Sequence, residues 1–218
     1  MPDYHKEKVR RCRTLSRHAQ AMTQESGPAR RTGSGWFLAG YAGIAGFFAL
    51  EAASRQGGAA ASLDASADDQ GTTRMIVTGF ASAVVLAPLA RRLSLLRLPS
   101  AIVPAGLALE ITGLGLRAWS METLGRSYTR TLRIEGEQPV IDTGPYRLVR
   151  HPGYLGSLLI WTGFGITSGS GPVLALVGGL LGRAYRRRIL AEDQLLRREL
   201  PGYAAYAERT KRLIPTIW

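Results

Sequence analysis

The chain has one cysteine, Cys12, among 218 residues, and three histidines, His5, His18 and His151. A single thiol excludes an internal disulfide. One thiol and three scattered imidazoles do not make a usual zinc cluster, so no metal site is expected. The sequence contains no G-x-x-x-x-G-K-[ST] phosphate loop and no persuasive Ser/His/Asp arrangement. Acidic residues are also scarce, 16 Asp and Glu against 28 Lys and Arg, for a net charge of +12. Such an excess points to nucleic acid or to an anionic membrane surface. The basic residues are not interleaved with aromatics as in nucleic-acid binders, so membrane lipids are the expected partner and nucleic acid is not. Charge is missing altogether over the 31 residues from Pro152 to Gly182.

What is present is a segregated chain. Apolar residues gather into uncharged blocks and arginines fill the gaps, the pattern of a polytopic membrane protein. Residues 1–32 are polar and Arg-rich, with no apolar core behind the first charges, so they read as a basic disordered or surface tail rather than a signal peptide. Residues 33–218 read as one membrane-embedded domain. Its first block, Trp36–Leu50, is extendable to Gly33–Ala53 with Glu51 at the interface, and Gly40, Gly43 and Gly46 form a helix-packing stripe. The second block is Met75–Ala90, closed by Arg91 and Arg92. The third is about Ala101–Ser120. It contains Glu110, either a functional carboxyl or a packing one. Gly113-x-Gly115-x-x-Ala118 imitates a dinucleotide fingerprint, but it sits in an apolar helix with no strand before it.

Residues 121–151 are a polar loop, with β-formers over Ser127–Ile134 that suggest a small surface hairpin. Gly169-Ser-Gly-Pro172 interrupts the uncharged run that follows. Two short helices are therefore expected, about 154–168 and 172–190, the second passing into a charged amphipathic helix that Pro201-Gly202 stops. The fold class is all-α: a polytopic membrane protein of about five transmembrane helices, with a C-terminal helical hairpin and an amphipathic cytosolic helix.

The densest stretch is Gly144–Gly156, GPYRLVRHPGYLG. Its two prolines forbid one continuous helix, and its glycines permit turns or close approach. Arg147, Arg150 and His151 supply donors for an anion at the mouth of the hairpin.

Arg150-His151-Pro152-Gly153-Tyr154-Leu155-Gly156 resembles the R-H-P-x-Y-x-G signature of the isoprenylcysteine carboxyl methyltransferases. Glu192-Asp193-x-x-Leu196, with Tyr203-x-x-Tyr206 behind it, resembles that family's E-E-x-x-L…Y-x-x-Y pattern, with Asp193 in place of its second Glu. The resemblance covers roughly residues 100–218, with the motif-bearing part at about 121–218. It implies an integral-membrane enzyme that uses S-adenosylmethionine (SAM) and releases S-adenosylhomocysteine (SAH). It implies His151, Tyr154, Leu155 and Gly156 as cofactor-site residues from the first motif and Glu192 from the second. Arg147, Arg150, Asp193 and Tyr203 complete the expected cofactor set as donors, acceptor and aromatic wall.

Arg188 lies four residues before Glu192, on one helical face. An ordinary surface ion pair would have that spacing too; the resemblance implies instead that Arg188 and Glu192 form the reacting end. The implied acceptor is a lipid-like carboxylate entering from the bilayer. An amine acceptor such as a phospholipid headgroup, a nicotinamide-dependent reductase and a non-catalytic basic scaffold are the alternatives. The active site is expected to face the cytosol, where SAM is made. The positive-inside rule would put residues 1–32 and 91–97 there too. Three full spans cannot satisfy both demands. Either the N-terminus lies outside, or one early block does not cross.

Overall fold

The computed structural model describes residues 28–53, 69–125, 128, 139–215 and 217–218. Of the basic tail read over residues 1–32, residues 1–27 lie outside these, while 28–32 are not a separate tail but the opening of the first helix. The β-rich stretch Ser127–Ile134, Tyr128 apart, also lies outside. Among the described residues all regular structure is helical. α1 is Pro28–Ala53, α2 Thr72–Arg92 and α3 Val103–Leu124, entered through a 3₁₀ turn at Ser100–Ile102. A second 3₁₀ turn, Gly144–Arg147, leads to α4, Pro152–Thr167. α5, Gly171–Leu176, continues through a π turn at Val177–Leu181 into α6, Gly182–Glu199, and α7 is Tyr203–Arg209.

Among the described residues three helices are long and apolar enough to cross a membrane: Gly35–Ala53, Thr72–Arg92 and Ser100–Leu124. At 16 residues, α4 is shorter than the roughly 20 that a perpendicular span needs. Side chains sort as lipid demands. Val85 and Ile111 are 67% and 62% exposed, whereas Glu110 and Arg117 are buried.

The chain alternates between two ends. At one end the Arg91 guanidinium lies over the Phe37 ring, joining the finish of α2 to the start of α1. The same end holds the α4–α5 turn, where Gly171 N–H donates to Leu96 O at 2.9 Å. At the other end Glu51, closing α1, pairs with Arg117 near the close of α3. All three early blocks therefore run the full length between the ends.

The local chemistry explains the boundaries. Pro152 opens α4 at its first position, where a missing N–H costs nothing. Gly169, with φ of 66°, turns the chain out of α4, and the Ser170 hydroxyl accepts from Val173 N–H to start α5. The second arm passes into the charged helix as expected and runs as one helical path from Gly171 to Glu199, just short of Pro201-Gly202. No glycine or proline stop occurs between Arg183 and Leu200, so the arginines mark where the helix leaves apolar surroundings and not where it ends.

α3 and α4 make the closest approach. Gly106 faces Gly163, and Gly113 faces Gly156. The stripe on α1 is filled from the same layer: Gly40 and Gly43 sit over Thr167 and Glu110, and Gly46 over Leu114. Beside it, Phe80 stacks on Trp161 at 4.3 Å, with Phe47 and Phe164 edge-on. Thr167 donates to Glu110 Oε1 at 2.6 Å. Oε2 has no hydrogen-bond partner. Glu110 lies within a packed layer of α1, α3 and α4, and nothing places it with the motif residues.

Candidate active site

The two motif segments, far apart in sequence, meet at the end of the bundle where α4 begins. Tyr154, in the first turn of α4, donates to Glu192 Oε2 of α6 at 2.5 Å. Arg188, one turn earlier on α6, donates from Nε to the Tyr154 hydroxyl at 3.2 Å. His151 stacks beside Tyr154, ring centres 5.7 Å apart. Its Nδ1 lies 3.9 Å from Glu192 Oε1 and its Nε2 3.5 Å from Asp193 Oδ1. Neither contact has hydrogen-bond geometry, and the buried Nε2 has no hydrogen-bond partner.

A second layer fastens the C-terminus beneath this cluster. Arg150 donates through Nη1 to the carbonyls of Ala207 and Thr210, and through Nη2 to Asp193 Oδ2 at 3.2 Å. Asp193 also accepts from Tyr203 at 2.7 Å and from Arg212 Nε at 2.8 Å. Tyr206 donates to the carbonyl of Tyr146 at 2.6 Å. Burial pushes the Asp193 carboxyl up, but His151, Tyr203 and the Arg150 guanidinium outweigh it and hold it well below the usual carboxylate range. Burial pushes the Tyr206 hydroxyl up to about 12, so it stays a donor.

The expected site residues thus divide. His151, Tyr154, Arg188 and Glu192 share one cluster, and the Glu192 side chain is 26% exposed while those of Asp193 and Arg188 are 3%. Arg150, Asp193 and Tyr203 form the clasp that holds α7. Arg147 is exposed on the 3₁₀ turn and Leu155 is half-buried on α4. Gly156 faces α3, where a Cβ would stand 2.8 Å from Gly113 O.

Sequence reasoning missed two groups. Arg117 of α3 donates through Nη1 to Gly153 O at 2.9 Å and Ser157 Oγ at 2.7 Å. It also pairs with Glu51 and donates to Tyr128 at 3.1 Å. It is the one basic residue inside the third apolar block, and that was the available signal. The other is Asp69, ahead of α2, which pairs with Arg188 Nη1. Burial raises the Asp69 carboxyl, but bonds from Thr73 and Thr72 and the Arg188 charge bring it below its ordinary value.

These features define a helical membrane protein with a buried, charged site at one end of its bundle. Residues 106–198 match the family model described as the isoprenylcysteine carboxyl methyltransferase (ICMT) family. The chain is similar to the probable protein-S-isoprenylcysteine O-methyltransferase of Oryza sativa, 35% identical over 51% of this chain and 60% of that protein. It is similar to protein-S-isoprenylcysteine O-methyltransferase B of Arabidopsis thaliana, 30% identical over 51% of this chain and 58% of that protein. It is also similar to the cobalt-zinc-cadmium resistance protein CzcN of Cupriavidus metallidurans, 34% identical over 48% of this chain and 49% of that protein. The chain thus spans about half the length of the curated relatives it matches.

Proposed function

We propose that the protein is a membrane-embedded methyltransferase that takes its methyl group from SAM and gives it to the carboxylate of a lipid-like, isoprenylcysteine-type acceptor. The observation that carries this reading is the meeting of the two motif segments through Tyr154, Glu192, His151 and Asp193. The donor set suits the cofactor. The buried Nε2 of His151 makes no hydrogen bond, standing 3.5 Å from Asp193 Oδ1, and Glu192 is the partly exposed carboxylate of the cluster. His151 and Glu192 would hold the polar groups of SAM, with Tyr154 as an aromatic wall.

SAM supplies an electrophilic methyl on a sulfonium. The residues supply position and surroundings. A carboxylate acceptor is ionised at neutral pH and needs no general base. Catalysis then comes from orientation and from exchanging water for fixed dipoles around two opposite charges that cancel as they react. Arg188 would hold the acceptor carboxylate near Tyr154 and Glu192. The hairpin of α4 with α5–α6 completes the membrane part in this reading. The site end faces the cytosol, which puts the start of α1 and the 93–99 loop on the other side.

Calorimetry on detergent-purified protein tests the proposal. The parent should bind SAH, and folded His151→Ala and Glu192→Ala variants should lose that binding. A well-folded parent that binds no SAH refutes the reading. Methyl transfer to a lipid amine, with none to an isoprenylcysteine, refutes the carboxylate acceptor alone.

A further inference from the structure

Asp69 lies outside residues 106–198, the stretch shared with the family. It is wholly buried, and it points at the functional cluster. Its Oδ1 accepts from Arg188 Nη1. The same carboxylate accepts from the Thr73 N–H at 3.1 Å, the Thr73 hydroxyl at 2.7 Å and the Thr72 hydroxyl at 3.0 Å. Arg188 Nη1 also donates to both threonine hydroxyls, at 3.3 and 3.0 Å. Arg188 Nε then meets Tyr154, and Tyr154 meets Glu192.

We propose that Asp69 is a positioning residue: by fixing the Arg188 guanidinium, it sets Tyr154 and Glu192 at the reacting end of the site. The inference rests on the methyltransferase reading given above. Two roles are open to a carboxylate paired with a substrate-holding arginine. It can compete with the incoming anion, or it can orient the arginine. Competition requires Asp69 to swing away. Here the first turn of α2 holds it by three donors, and no solvent reaches it. A planar guanidinium held at Nη1 and Nε has its plane fixed, which is what carboxylate recognition needs. Removing the Asp69 charge frees that plane and leaves a buried cation short of an anion.

The test uses the full-length protein in detergent micelles, with SAM and N-acetyl-S-farnesyl-cysteine as the acceptor probe. Asp69→Asn should lower kcat about tenfold to a hundredfold, the scale of a misplaced reacting group. SAH binding should weaken by less than kcat falls, because Tyr154 and Glu192 follow Arg188 whereas Asp193 is held from the other side by Arg150 and Tyr203 and is independent of Asp69. Asp69→Glu should recover part of the rate. In an Arg188→Lys background, Asp69→Asn should cost less than about threefold, since the two act as one unit. Equal losses in both backgrounds, or an unchanged kcat, overturn the inference while leaving the methyltransferase reading intact. A rise in kcat/KM overturns it in favour of competition. A folded parent with neither SAH binding nor turnover overturns the reading and this inference together. If Asp69→Asn does not fold, Thr73→Val, which loosens the carboxylate but keeps its charge, should show the same kcat loss at smaller size. An unchanged kcat there overturns the inference.

Discussion

Replacing Gly156 by alanine should damage the protein through packing before it touches any ligand. An alanine Cβ there would stand 2.8 Å from Gly113 O, 3.0 Å from Arg117 N and 3.1 Å from Arg117 Cβ. Two of these atoms belong to the α3 backbone, so no side chain can rotate away. The helices would have to part by several tenths of an ångström, and overpacking of that kind costs about 1–3 kcal/mol. The displacement would also pull on the bonds from Arg117 to Gly153 O and Ser157 Oγ, which hold the first turn of α4.

Gly153, three residues earlier in the same motif, is the control. A Cβ there meets nothing closer than 3.8 Å. Alanine also has the better helix propensity, so Gly153→Ala should be neutral or stabilise by up to about 0.5 kcal/mol. Thermal unfolding in detergent reads the difference. At about 2–4 °C per kcal/mol for a chain of this size, Gly156→Ala should melt roughly 2–12 °C lower while Gly153→Ala holds the parent value. Equal melting of the two variants would refute the packing argument and return Gly156 to a role at the ligand.

The layer around Glu110 offers a compensation test. Gly43→Ala would drive a Cβ into Glu110 Oε2, 3.0 Å from Cδ of this wholly buried side chain, and should destabilise the protein. Adding Glu110→Ala should recover part of the loss, with a coupling of about 1 kcal/mol or more in a double-mutant cycle of unfolding; strict additivity would refute the contact. The Asp193 clasp sets a pH window. Its folded-state carboxyl titrates below its unfolded value of about 3.9, so its stabilisation is complete above that pH and is lost as pH falls through the lower folded value. Protease cutting in α7 should stay flat from neutral pH down to about pH 4 and rise only below it. Asp193→Asn should open α7 to cutting already at neutral pH.

The spans were legible because lipid imposes a coarse rule. Trp36–Leu50, Met75–Ala90 and Ala101–Ser120 are uncharged or nearly so; the first two lie inside helices, and the third runs from the 3₁₀ turn at Ser100–Ile102 into α3. The break at Gly169 was legible from its turn-formers. The meeting of His151 with Glu192 was not visible in spacing; the motif resemblance supplied it. The pairings of Arg188 with Asp69 and of Arg117 with Glu51 were hidden. They join residues 119 and 66 positions apart, and no local pattern tells a buried arginine's partner from any other acid. The contact of Gly156 with α3 was hidden for a related reason: in sequence it is part of a dense motif, and only the structure shows Gly113 facing it.

In the reading proposed above the motif residues do two kinds of work, and their hydrogen bonds separate them. Asp193, Tyr203 and the Arg150 Nη atoms bond one another and the carbonyls of the last helix, although the Arg150 Nε makes no hydrogen bond. Breaking such a network costs the desolvation of every group left behind, so it suits a clasp. Glu192 is the partly open carboxylate beside them, and the buried His151 Nε2 makes no hydrogen bond. An open acceptor and an imidazole nitrogen without a hydrogen bond on top of a rigid, neutralised base are what a polar ligand needs. On this argument, substitutions in the clasp should loosen binding indirectly through the position of α6, while those at His151 and Glu192 remove the contacts themselves.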